Sequence, residues 1–208
     1  GKIAMKFEGE DADDRLIGVG LLTEDDDVLL ASRGGRAVRF MGSDIRAFQS
    51  RSSTGVRGMR LASGDEVISL SILRRSGASI EEREAYLKYA PWKQEKEGEP
   101  AIRPERMAEL ADKEQFILTV CANGYGKRSS AYEYARKGRG GQGLININRA
   151  DDYAVRNGPV VASFPARNGE QIMLVTDQAK LIRMEVSDMR PMGRSAAGVK
   201  LFNVAENE

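Results

Sequence analysis

The sequence predicts an all-β protein of four-stranded, propeller-like blades, interrupted once by a short α-helical insertion. Three observations lead there: a segment that recurs three times, short β-type runs bounded by turn residues in each copy, and one stretch where the rhythm breaks. The recurring segments are Val28-Leu-Leu-Ala-Ser-Arg-Gly-Gly-Arg-Ala-Val-Arg39, Ile117-Leu-Thr-Val-Cys-Ala-Asn-Gly-Tyr-Gly-Lys-Arg128 and Ile172-Met-Leu-Val-Thr-Asp-Gln-Ala-Lys-Leu-Ile-Arg183. Each opens on an apolar run, turns through Gly35, Gly124 or Ala179, and closes on an arginine. The continuation repeats too. Arg39 is followed by Arg51 and Gly55-Val56, Arg128 by Arg139 and Gly143-Leu144, Arg183 by Arg194 and Gly198-Val199. A period of about 50 residues with four short β-runs per unit is the signature of radial blades.

Residues 1–23 read as the tail of an earlier blade, with Ile3–Phe7 and Leu16–Leu22 as strands around an acidic loop. Residues 24–75 form the next blade. There, Val28–Ser32 and Ala37–Phe40 flank a glycine turn, and Val56–Leu61 and Val67–Leu73 flank Ala62-Ser-Gly-Asp65. The gap from Gly55 to Gly143 is far longer than that from Gly143 to Gly198, and the excess falls at 76–114. Ser79-Ile-Glu-Glu82 is a capping box for a helix that Pro91 stops, and Pro104 suits the first turn of a second. This segment is the helical insertion, with Glu95–Pro100 as a solvated loop and Trp92 covering a helix–blade seam. Residues 115–165 and 166–208 are two further blades, the last one truncated.

Composition limits the chemistry. There is no histidine and one cysteine, Cys121. Histidine-based acid–base catalysis, serine–histidine or cysteine–histidine nucleophiles, Cys/His zinc sites and disulfides are therefore excluded within this chain. A reducing cytoplasm fits, and no run of apolar residues is long enough to cross a membrane as a helix. The net charge of +1 hides segregated blocks. Residues 8–27 carry Glu8, Glu10, Asp11, Asp13, Asp14 and Glu24–Asp27, which read as solvated acidic loops. Residues 28–62 carry Arg33, Arg36, Arg39, Arg46, Arg51, Arg57 and Arg60 against Asp44 alone.

The second copy concentrates Lys127, Arg128, Arg136, Lys137 and Arg139 in a glycine-rich stretch, and the third carries Lys180, Arg183, Arg190 and Arg194. Basic side chains and exposed amides on loops suit phosphate oxygens and position nucleic acid without reading its sequence. These basic residues, with Arg33, Arg36, Arg39, Arg46 and Arg51, are the candidate DNA contacts, expected on one edge of a disc. Tyr125, Tyr132 and Tyr134 are expected to pack between blades. Neither Gly138–Gly143 nor Asn123–Arg128 has the form of a nucleotide-binding loop.

Asn123-Gly-Tyr-Gly-Lys-Arg128, Glu133-Tyr134 and Gly138-Arg-Gly-Gly-Gln-Gly-Leu-Ile145 resemble the C-terminal domain of DNA gyrase A. Arg15–Val19, Thr54–Leu61, Gly64–Val67, Ile172–Asp177 and Gly193-Arg194 with Gly198-Val199 extend the likeness over most of the chain outside the insertion. The resemblance implies a β-pinwheel, in which blades exchange strands, that wraps duplex DNA on a positively charged edge. The parent is an ATP-dependent topoisomerase that introduces negative supercoils. The domain would be non-catalytic and bind no cofactor, ATP and Mg2+ being used elsewhere in an A2B2 enzyme that pairs gyrase A with gyrase B at the bacterial nucleoid. The family heptapeptide Gln-Arg-Arg-Gly-Gly-(Arg/Lys)-Gly has no intact copy; Lys137–Gly143 is nearest. A fragment lacking the first blade is expected. The alternatives are a propeller-like module that binds an acidic protein, or the related domain of topoisomerase IV.

Overall fold

The computed structural model describes residues 1–9, 13–94, 96 and 98–205. Each repeat begins with a hairpin: β1 (Asp27–Ser32) with β2 (Arg36–Met41), β4 (Phe116–Cys121) with β5 (Tyr125–Ser130), and β8 (Gln171–Val175) with β9 (Leu181–Glu185). The register is the same in all three, since Leu29 faces Arg39, Leu118 faces Arg128, and Met173 faces Arg183. β3 (Val67–Leu73) and β7 (Val160–Ala166) pair antiparallel with β1 and β4.

The fourth strand of each complete sheet comes from the following repeat. β6 (Leu144–Ile145) adds to β2, giving the order β3-β1-β2-β6, and β10 (Val199–Lys200) adds to β5, giving β10-β5-β4-β7. This is strand exchange between neighbouring blades. Gly143 and Gly198 lead into the exchanged strands at φ +75° and +84°, where a Cβ would come within 2.5 Å of the Ala37 carbonyl oxygen and 2.7 Å of that of Gly126. Ala37 and Gly126 occupy the same position in β2 and β5. Glycine is required at both sites for the conformation and for the close backbone approach.

Alternation along β1 sends Leu29 and Ala31 toward the second sheet, where they meet Leu73, Ile117, Ala131 and Tyr134. Val28 packs on the other face with Val38, Phe40 and Met59. β4 is buried throughout because Ile117 faces the first sheet while Leu118 and Val120 face the third, packing with Ile172, Val186 and Met189. Its Phe-Ile-Leu-Thr-Val-Cys run is thus that of a strand covered on both sides. In β8 only one face is covered: Ile172 is buried, while Met173 and Val175 are exposed.

The insertion contains α1 (Ile80–Tyr89) and α2 (Pro104–Asp112). The Ser79 hydroxyl accepts from the Glu82 backbone and the Glu82 carboxylate accepts from the Ser79 N–H, the reciprocal cap expected from the sequence. Tyr86, Ala90 and Leu110 pack on Tyr132 of the second blade, whose hydroxyl donates to the Leu110 carbonyl. Trp92 lies edge-on to Phe116 and donates to Glu114, closing the seam as anticipated.

Several expected strands are absent. Among the described residues, 3–7 and 16–22 form none; Gly18 and Gly20 instead lie against Leu70 and Ile72 of β3. Residues 56–61 make only an isolated bridge, Met59 to Gly141. They correspond to β6 and β10, exchanged strands that need the second strand of a preceding blade beside them, and among the described residues none stands there. A short helix, α3 (Tyr153–Asn157), was not foreseen. Tyr134 packs between blades, but Tyr132 packs under the insertion and Tyr125 lies beneath the Arg156 guanidinium, 4.5 Å from its ring centre. The acidic run at 24–27 is not all solvated: Asp27 is fully buried, and Asp26 accepts from the Thr23 N–H and hydroxyl. Glu10, Asp11, Glu95 and Glu97 lie outside the described residues.

Candidate nucleic-acid interface

The first arginine turns inward in two of the three repeats, Arg39 and Arg128, while Arg183 stays exposed. Arg39, Arg128 and Arg183 each rest on the residue that opens the preceding strand. Arg39 donates through Nε to Asp27 at 2.7 Å, Arg128 lies 4.7 Å above the Phe116 ring, and Arg183 donates through Nε to Gln171. Arg39 is 7% and Arg128 5% exposed, so neither lies on an open rim that a DNA backbone could track. The reason is positional: β2 and β5 are inner strands, each covered by a neighbouring blade. Arg39 also donates to the Ala131 carbonyl, and Arg128 donates to Asn168 at 2.5 Å. Lys127, expected as a DNA contact, is buried likewise. It is 1% exposed, donates to the Ser129 hydroxyl, and is pulled down to about 7 by burial.

The second arginine of each repeat reaches across a blade junction. Arg139 donates to the carbonyls of Asp44 (3.1 Å) and Arg57 (3.3 Å). Arg194 donates to those of Glu133 (3.1 Å) and Ile145, the equivalent positions one repeat on. Beside them a backbone clasp recurs three times: Lys6 N–H to the Ser53 carbonyl, Arg60 to Gly141, and Asn148 to Ala196, at 3.1, 2.8 and 3.1 Å. Bracing thus accounts for part of what Arg139 and Arg194 do, and Arg194 is only half-exposed while Arg139 stays exposed.

The junction between the first two blades is the most basic of these clasps. Arg139 and Lys137 lie on one side, and Arg57 and Arg60 on the other, all exposed. Arg46 follows the 3-10 turn Gly42–Asp44 that Arg139 grips, and its guanidinium lies 4.5 Å over the Phe48 ring. At the next junction Arg57 and Arg60 are replaced by Ile145 and Asn148. Arg57 and Arg60 are not among the sequence candidates; the signal available was the arginine-rich block at 28–62, which contains both. Arg36, Arg51, Lys180, Arg183 and Arg190 are exposed elsewhere. Arg33 pairs with Glu66 at 3.0 Å and Arg136 with Asp27 at 3.0 Å, so their charges are partly offset.

The family model for the DNA gyrase C-terminal domain, a beta-propeller, matches residues 26–74, 115–157 and 170–208. The chain belongs to this gyrase family. The matched segments are the three repeats, and they omit the helical insertion. The DNA gyrase A of Granulibacter bethesdensis is 47% identical over 232 residues, covering 100% of this chain and 24% of the relative. That of Rickettsia conorii is 42% identical, covering 100% and 23%. The chain thus spans about a quarter of the length of these curated relatives. Two solved structures share the fold. A C-terminal domain of DNA topoisomerase IV superposes with TM-score 0.67 at 16% identity, covering 96% of this chain and 48% of that one. A DNA gyrase A C-terminal domain gives 0.63 at 22% identity, covering 89% and 49%. In this gyrase-family domain no helix among the described residues is long and apolar enough to cross a membrane.

Proposed function

We propose that this domain binds duplex DNA without sequence preference and bends it along its basic edge, as part of a DNA gyrase that introduces negative supercoils with ATP. The observation that carries this reading is the convergence of Arg46, Arg57, Arg60, Lys137 and Arg139 at one blade junction, without a carboxylate ion-paired to any of them among the described residues. Such a cluster offers point charges and guanidinium forks to phosphate oxygens. Bending costs roughly 1–6 kcal/mol over 20–30 base pairs, so several junctions must contribute contacts. Arg36, Arg51, Lys180, Arg183 and Arg190 are the further contacts. The domain is non-catalytic and takes no cofactor for this task. ATP and Mg2+ act elsewhere in the A2B2 assembly of gyrase A and gyrase B, which works on the chromosome in the cytoplasm.

The test is binding of two unrelated duplexes across a salt series. Contact with about five phosphates gives a slope of log affinity against log salt near −4.5, equal for both duplexes. A flat response, or tight binding to an acidic protein with none to DNA, would overturn the reading. With relaxed plasmid and a nicking–closing enzyme, the 208-residue chain alone should fail to constrain a full supercoil, since the intact family heptapeptide is absent.

A further inference from the structure

A cavity of about 910 Å³ opens between the helical insertion and the second and third repeats. Arg74, which follows β3, Arg128 of β5 and Arg167, which follows β7, all line it, beside Trp92, Phe116 and Glu114. Five cationic and two acidic side chains line it in all. Arg128 is the unusual member. At the equivalent position of the first repeat, Arg39 is matched by the carboxylate of Asp27, but Arg128 meets the ring of Phe116 instead. Its Nε is buried and makes no hydrogen bond, and among the described residues no carboxylate ion-pairs with it.

The nearest acid, Glu114, is a poor substitute. Its oxygens accept from the Tyr86 hydroxyl and the Trp92 indole, and burial holds its carboxyl above the usual range. A buried guanidinium with an idle donor, facing a cavity rich in further arginines, lacks a counter-ion. We propose that this cavity is a binding site for a small phosphate anion, held by Arg128 with Arg74 and Arg167. Arginine forks match phosphate oxygens, and a doubly charged anion suits this excess of cations better than a single carboxylate does. The inference is independent of the DNA reading, since none of Arg46, Arg57, Arg60, Lys137 and Arg139 lines the cavity.

Trp92 is the sole tryptophan and lines the cavity, so its fluorescence reports occupancy. Pyrophosphate titrated into the 208-residue chain at constant ionic strength should give a saturable change in emission and a concentration-dependent rise in melting temperature. Arg128→Met should weaken binding about tenfold or more. The exposed double variant Arg74→Ala/Arg167→Ala should weaken it as well, and it decides the matter if Arg128→Met does not fold. No saturable change up to about 10 mM overturns the site, as does unaltered affinity in the double variant. Duplex DNA that shifts Trp92 emission where pyrophosphate does not would also overturn it, assigning Arg128 to the DNA surface.

Discussion

Arg39 and Asp27 form an ion pair enclosed between two blades, with Nη2 2.7 Å from Oδ2 and the carboxylate fully buried. The same guanidinium donates to the Ala131 carbonyl of the next repeat, so one side chain ties a hairpin to its neighbour. Removing it leaves a buried carboxylate with Arg136 as its remaining partner. Arg39→Ala should cost about 3 kcal/mol, the low end for a broken buried pair. Chemical denaturation measures this. A loss under about 0.5 kcal/mol would place Arg39 among ordinary surface residues.

Arg57 and Arg60 should behave in the opposite way. Both are exposed, and what the neighbouring blade uses of them is backbone: the Arg57 carbonyl and the Arg60 N–H. Each substitution to Ala should leave stability within about 0.5 kcal/mol and lower the salt slope of DNA binding by about one. Arg139→Ala should do both, lowering the slope and destabilising the junction. An unchanged slope in all three variants would remove this junction from the interface.

Lys127 gives the fold a pH dependence. Its folded value of about 7 lies below the ordinary lysine value of 10.5, so between them the unfolded chain holds the extra proton. Its contribution therefore makes the protein more stable as pH rises above 7. Cys121, raised by burial to about 11, acts in the reverse direction once pH passes about 9, and Tyr132, raised to about 12, does so once it passes about 10. Melting temperatures between pH 7 and 8.5 should climb in the parent chain. They should be higher at pH 7 and flatter in Lys127→Met, and equal slopes would refute the assignment.

Gly143→Ala should disrupt strand exchange rather than the hairpins. The added methyl would meet the Ala37 carbonyl at a left-handed backbone position. Amide hydrogen exchange should show protection lost at Leu144–Ile145 and along the outer edge of β2, with β1–β3 pairing retained. Unchanged protection at Leu144–Ile145 would mean the turn relaxes around the methyl.

The hairpins, the insertion and its cap were legible because each is encoded locally, in an apolar run, a turn glycine or Ser79-x-x-Glu82. The exchanged strands were not. Leu144–Ile145 and Val199–Lys200 are two residues long, and what makes them strands is an edge belonging to another repeat. The candidate site divided for the same reason. Arg39 and Arg139 look alike in sequence, each a basic residue near glycine. Whether such a side chain reaches solvent depends on which blade covers its strand. Recurrence marked equivalent positions correctly, but equivalence of Arg39 and Arg128 meant shared burial, not shared exposure.

Strand exchange also sets an order on synthesis. A ribosome that has released β1, β2 and β3 has made a three-stranded sheet whose β2 edge is still open. The strand that closes it, Leu144–Ile145, emerges only after the whole insertion and the second hairpin. Each nascent blade therefore carries an unpaired edge until its successor has been translated, an interval in which neighbouring chains could pair with it instead.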